Sequence, residues 1–192
     1  MIASLSGRLI AKSADRAIVD VNGIGFLVLV SKTTAGQLPK LDDEIRFYAI
    51  PHLTRDSIEI YGFLDAKERD VFQALTSVNG VGPKAAIKIL GGATVAELEM
   101  GIRSGRSDML TKISGVGGKK AERIVLELRD LWKKEEAKEA TLALEYHDEL
   151  HGILRKLGYK DQDIRGALRA LPREAAKLED QLKAALKTLS NQ

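Results

Sequence analysis

Two stretches of this 192-residue chain repeat one pattern of chemistry-bearing residues. Ser77-Val78-Asn79-Gly80-Val81-Gly82-Pro83-Lys84-Ala85-Ala86 is echoed 35 positions later by Lys112-Ile113-Ser114-Gly115-Val116-Gly117-Gly118-Lys119-Lys120-Ala121. Each copy joins the end of one predicted helix to the start of the next. Glycine reaches positive φ and lets a foreign backbone come close. A Gly-Val-Gly turn at a helix start aims several N–H groups outward, and the positive end of the helix adds to them. Such a seat holds a phosphate without reading a base. Asn79, Gly80, Val81, Gly82 and Lys84 form the first expected seat. Ser114, Gly115, Val116, Gly117, Gly118, Lys119 and Lys120 form the second. The valines would anchor the turns in a core, and the lysines would make the grip salt-dependent.

Other phosphate devices do not fit. No Gly-x4-Gly-Lys-Ser/Thr occurs, so neither copy is a nucleotide-binding loop of that kind. The third glycine of a dinucleotide fingerprint is replaced by Ala85 in one copy and Lys120 in the other. A pair of ligand-free helix turns would explain one copy more readily than two. His147-Asp148-Glu149-Leu150-His151 misses the zinc-protease pattern at its second position, and His52 is distant in sequence. No Ser–His–Asp arrangement or pocket-like pair of carboxylates stands out. We therefore expect no catalytic residue, no metal and no cofactor of the chain's own.

Composition sets the outer limits. There is no cysteine, which removes disulfide scaffolds, thiolate metal sites and cysteine nucleophiles. Hydrophobic residues make up 44% and charged residues 30%, with a net charge of +3. The positive excess sits in the middle third, with 13 basic against 9 acidic side chains between 65 and 134. No apolar run approaches the ~20 residues of a membrane helix, and Met1–Lys12 lacks the layout of a secretory signal. A cytoplasmic location is expected.

The elements that must position the two turns follow from periodicity. Ile2–Ile10, Arg16–Val21, Ile24–Ser31, Glu44–Leu53 and Ser57–Phe63 read as strands. Asn22-Gly23 between two of them is a strong hairpin signal. Five short antiparallel strands suggest an oligonucleotide-binding (OB) barrel, with an SH3-like barrel the alternative. From Leu64 the period becomes helical, and Thr94-Val95-Ala96-Glu97 is a capping box. A long helix from Lys119 meets no Gly or Pro before His151. Leu150, Ile153, Leu154 and Leu157, then Ile164, Leu168 and Leu171, then Leu178, Leu182, Ala185, Leu186 and Leu189 outline three more helical faces, with Gly158 and Pro172 as stops. The expected fold is multidomain: an N-terminal five-stranded OB-type β-barrel (1–64), a central all-α tandem hairpin domain (65–133), a charged tether (134–146) and a C-terminal small three-helix bundle (147–192).

The doubled turn resembles the helix-hairpin-helix motif, which grips the DNA backbone. The whole order of motifs resembles the RuvA family of bacterial Holliday junction branch-migration subunits. It runs from Met1-Ile2 with Gly7, through Asn22-Gly23-Ile24-Gly25-Phe26 and Tyr61-Gly62-Phe63, to the two hairpins with Ala121-Glu122-Arg123, and ends at Leu157-Gly158-Tyr159. The resemblance implies a homotetramer, or an octamer on DNA, that holds a four-way junction open and square. It implies DNA recombination and repair, with the SOS response to DNA damage, as the setting. It also implies recruitment of the RuvB ATPase, which uses ATP and Mg²⁺, with the RuvC resolvase as a further partner. The chain would then be a non-catalytic component of a DNA helicase. A structure-selective nuclease or glycosylase using the same grip, and an adaptor that binds no DNA, are the competing functions.

The resemblance also assigns finer roles. Leu154, Leu157 and Tyr159 fall at positions implicated in RuvB docking. Arg55, Asp56 and Ser57 fall on the family's acidic pin, which stands at the junction centre and repels phosphate. This chain departs from that pin, since Arg55 occupies the place of a second acid and Glu59 lies too far along the strand to replace it with assurance. In the second hairpin Gly118 moves the first lysine back by one, which leaves open whether Lys119 or Lys120 reaches phosphate. Residues 133–146 contain no Gly, Pro or Ser, so the expected tether is helical or short rather than flexible.

Overall fold

A computed structural model describes residues 2–169, 171 and 178–190. The strands are β1 (Ser4–Lys12), β2 (Arg16–Val21), β3 (Ile24–Leu29), β4 (Glu44–Leu53) and β5 (Ile58–Phe63). They close into a barrel in the order β1-β2-β3-β5-β4, with β1 pairing back onto β4 and β3 running parallel to β5. This is the OB-type arrangement. Alternation along each strand explains the closure, since Leu5, Leu9, Val19, Val28, Phe47 and Ile60 all turn inward to one core. The β2–β3 turn has Asn22 at φ 52° and Gly23 at φ 86°, the paired positive angles that a two-residue hairpin loop requires.

One element was not anticipated. Ser31 does not extend the third strand but caps a short helix, α1 (Lys32–Gln37), accepting a hydrogen bond from the Thr34 N–H at 3.0 Å. The helix is held from a distance. Glu68, on α2 (Ala66–Ser77), accepts from Ser31 Oγ at 2.9 Å and from Thr34 Oγ1 at 2.7 and 2.9 Å. All three residues are buried. Burial, reinforced by the charge of Asp65, pushes the Glu68 carboxyl above its ordinary range, although its hydroxyl donors pull the other way. A raised carboxyl binds its proton more tightly when folded. Its contribution to stability is therefore greatest below the ordinary value of 4.5 and is lost as pH climbs through the folded value. Urea unfolding should accordingly show the native chain losing stability as pH rises above the ordinary value of 4.5, with Glu68→Gln losing less. Equal losses in both would contradict this reading.

Phe72 of α2 completes the join between barrel and helices. Its ring sits 5.1 Å from that of Tyr61 and 5.0 Å from that of Phe63 on β5. The helical part continues as α3 (Pro83–Leu90), α4 (Val95–Arg103), α5 (Ser107–Thr111) and α6 (Gly118–Lys156). Thr94 and Glu97 form both halves of the capping box at the start of α4. The apolar stripes of these helices converge, with Leu75, Ile89, Leu98, Ile102, Leu110 and Ile124 all buried.

Contacts divide the chain into two compact units, 1–131 and 132–192. In the second, the last turns of α6 pack with α7 (Asp161–Arg169) and α8 (Leu178–Ser190). Its core holds Leu150, Leu154, Ile164, Ala167, Leu168, Ala185 and Leu189. The end of α6 is set by Gly158 at φ 93°. There the Tyr159 N–H reaches Leu154 O at 3.2 Å and the Gly158 N–H reaches Arg155 O at 3.0 Å, the paired bonds of a Schellman cap. Pro172, expected to stop the following helix, lies outside the described residues. Residues 134–146 have helical backbone throughout, as part of α6. No described helix is long and apolar enough to cross a membrane.

Candidate nucleic-acid interface

The two glycine turns have the same geometry. Gly80 and Gly115 stand at φ 85° and 87°, values that glycine alone adopts without strain. Behind each, a valine amide closes on the apolar residue three positions back: Val81 N–H to Val78 O at 3.0 Å, and Val116 N–H to Ile113 O at 3.1 Å. All four of those side chains are buried. Ahead of each, the next helix begins with matching bonds, Ala86 N–H to Gly82 O at 3.0 Å and Ala121 N–H to Gly117 O at 2.9 Å. The structural register makes Gly118 the counterpart of Pro83 and Lys119 the counterpart of Lys84, since each pair opens its helix alike. Lys120 is half-buried, whereas Lys119 is exposed. Lys119 is thus the second hairpin's leading cation.

The turns are open. Gly82 is the N-cap of α3 at φ −81° and ψ 170°, an ordinary extended conformation, and supplies no side-chain cap. A Cβ added at Gly82, Gly115 or Gly117 would meet nothing within 4 Å. Packing within the fold therefore does not explain glycine at Gly82 and Gly117. Each leaves open space beside its helix start. The N–H groups of Gly80, Gly82, Gly115 and Gly117 have no hydrogen-bond partner among the described residues.

The second turn and the helix that follows the first turn share one surface. A cavity of about 180 Å³ is lined by Lys84, Ala85 and Lys88 of α3 and by Ser114, Gly115 and Val116 of the second turn. A larger one, about 690 Å³, runs on from it to the barrel, where Arg16, Lys32, Lys84 and Lys88 face a single acid, Asp15. Sequence reading overlooked Lys88, though its spacing of four from Lys84 puts both on one face of a helix. It also gave no role to Arg123 and Glu127 of α6. Arg123 Nη1 donates to Asn79 O at 3.4 Å, and Glu127 accepts from the Asn79 N–H at 3.4 Å. The helix that opens at the second turn thus braces the first.

Lys84 is not unpaired. Its Nζ lies 3.0 Å from Glu59 Oε1 on β5, and Tyr61 Oη donates to the other oxygen of that carboxylate at 2.8 Å. These donors hold the Glu59 carboxyl below its ordinary range, Lys84 foremost. Beyond Glu59 the β4–β5 turn is fixed by Thr54, whose Oγ1 accepts from the Ser57 N–H at 3.0 Å while the Thr54 N–H reaches Ser57 O at 2.8 Å. Arg55, Asp56 and Ser57 are exposed at its tip, and neither Arg55 nor Asp56 has an ion pair among the described residues.

The remaining expected sites separate. In the second unit Leu154 is 0% exposed and belongs to the core, which removes it from any contact surface of the folded bundle. Leu157 is 59% exposed, and Tyr159 packs half-buried against the same core. His151 lies 3.5 Å from Asp161, while the side chains of His147 and Asp148 fall outside the described residues. No cluster of three metal-ligating side chains occurs among the described residues.

A five-stranded oligonucleotide-binding barrel followed by paired, outward-facing glycine turns defines the class of OB-barrel, tandem helix-hairpin-helix proteins. Residues 1–62 match the RuvA N terminal domain, and residues 72–130 match the SAM-like helix-hairpin-helix tandem. The Holliday junction branch migration complex subunit RuvA of Marinomonas sp. (strain MWYL1) is 38% identical over 197 residues, spanning 97% of this chain and 98% of its own. That of Geobacter sulfurreducens is 38% identical over 197 residues, spanning 98% and 99%. That of Prosthecochloris aestuarii is 45% identical over 130 residues, spanning 68% and 65%. The chain belongs to the RuvA family.

Proposed function

We propose that this chain is the junction-binding subunit of a branch-migration complex, acting in the cytoplasm in DNA recombination and repair. It holds a four-way DNA junction open and square as a homotetramer and presents its second unit to the RuvB motor, which supplies ATP and Mg²⁺ chemistry. The chain itself acts without a cofactor. One observation carries the reading: two glycine turns have the same geometry, each with open space where a Cβ would stand, and the lysines of the helix opened by the first line a cleft with the second. Such seats take phosphates of any sequence, so discrimination must come from the shape of the DNA. Leu157 and Tyr159 are the bundle's contact residues for the motor, because Leu154 is sealed inside.

The test is a gel-shift series with a four-way junction, a duplex and a single strand, over a range of salt and with the assembly mass measured alongside. Preference for the junction, a steep loss with salt and a mass of four or eight copies support the proposal. No shift with any DNA supports an adaptor instead, and strand cleavage in Mg²⁺ supports a nuclease.

The pin turn makes a further expectation. Arg55 beside Asp56 leaves the tip locally neutral, so it repels phosphate weakly. Restoring a second acid with Arg55→Glu should weaken duplex binding more than junction binding, raising the affinity ratio by about threefold, as suits a reversed charge at an exposed site. An unchanged ratio at fixed salt would remove the pin from the account of selectivity.

A further inference from the structure

The two hairpins match in backbone but differ in how their cations are held. Lys119 has no ion pair among the described residues, whereas Lys84, at the equivalent place, is joined to Glu59. The partners differ in freedom as well. The Lys84 side chain is 78% exposed and that of Glu59 only 20%. Glu59 is further fixed by the hydroxyl of Tyr61, a fully buried side chain. The carboxylate is therefore the fixed member of the pair, and the lysine is the one that can leave. We propose that Glu59 is an affinity-tuning residue that competes with DNA phosphate for Lys84, so that the first hairpin gives up an ion pair on binding while the second gives up none. The inference rests on the junction-binding reading.

The consequence is an uneven grip. A phosphate that takes Lys84 leaves the Glu59 carboxylate without its cation beside the DNA, which offsets part of the gain. The second hairpin carries no such charge, so Lys119 contributes its full share. The sequence hides this, because Glu59 and Lys84 meet only where strand β5 passes helix α3.

Glu59→Gln tests the idea, since the amide oxygen still accepts from Tyr61 while the charge is gone. We expect it to bind the four-way junction about three- to tenfold tighter at fixed salt, with the slope of log affinity against log salt steeper by up to about one unit. Adding Lys84→Gln should abolish that gain. A second comparison uses the otherwise native chain: Lys84→Gln should cost less than about twofold in junction affinity, and Lys119→Gln about tenfold. Unchanged or weaker binding by Glu59→Gln, or equal losses for the two lysines, overturns the inference while leaving the junction reading in place. A native chain that shifts no DNA overturns both.

Discussion

Gly82→Asp combined with Gly117→Asp should reduce four-way junction affinity by about two orders of magnitude while leaving the fold intact. The two halves of this expectation have separate physical grounds. At Gly82 the backbone is ordinary for any residue, and at both sites a new Cβ meets open space. Aspartate is also among the preferred residues before a helix, exchanging with glycine there for a few tenths of a kcal/mol. Thermal unfolding should therefore move little. Binding should not survive, because a new carboxylate would occupy the seat and accept from the same helix-start amides that phosphate needs. Its charge would also repel the backbone, and losing two phosphate contacts costs on the order of 1–3 kcal/mol each where hydrogen bonds to charged groups are involved. Junction titrations and melting curves of the double variant decide the matter together. Retained affinity with an intact fold would show that the turns are not the grip.

Phe72→Ala should produce the largest loss of stability. The ring is buried against both Tyr61 and Phe63, so truncation removes two aromatic contacts and opens a hole where helix α2 meets strand β5. Such truncations cost about 3–5 kcal/mol, a large share of the 5–15 kcal/mol that holds a typical domain together. The melting point should fall by roughly 10–15 °C. The variant should also loosen the coupling between barrel and hairpins, visible as a broadened or split transition. A loss below about 1 kcal/mol would mean that the join is carried elsewhere.

Much of this architecture is legible in the sequence, for reasons that differ by element. The strands announce themselves by alternation and by Asn22-Gly23, and their bounds shift only slightly, with β1 two residues later than expected. The glycine turns announce themselves by their repetition, because the same local backbone is built twice from the same local signals. The short helix after Ser31 does not announce itself. Thr33, Thr34 and Gly36 are weak helix formers, and what holds the helix is Glu68, reached only through the fold. The offset of 35 already sets Gly118 opposite Pro83 and Lys119 opposite Lys84, and what only the fold adds is that Lys119 is exposed while Lys120 is half-buried. Leu154 and Leu157 share one apolar stripe, and only packing separates core from surface. The Glu59–Lys84 pair and the brace from Arg123 to Asn79 join residues far apart in the chain, so no local pattern encodes them.

That brace has a mechanical consequence. Because α6 starts at one glycine turn and props the other through Arg123 and Glu127, the two seats behave as the jaws of a caliper set to one gauge. With the turns acting as the phosphate seats proposed above, a backbone whose rails match that gauge would be seized at both points together. One that does not match would be held by a single jaw and slip away, so the protein would measure width where a sequence reader would spell.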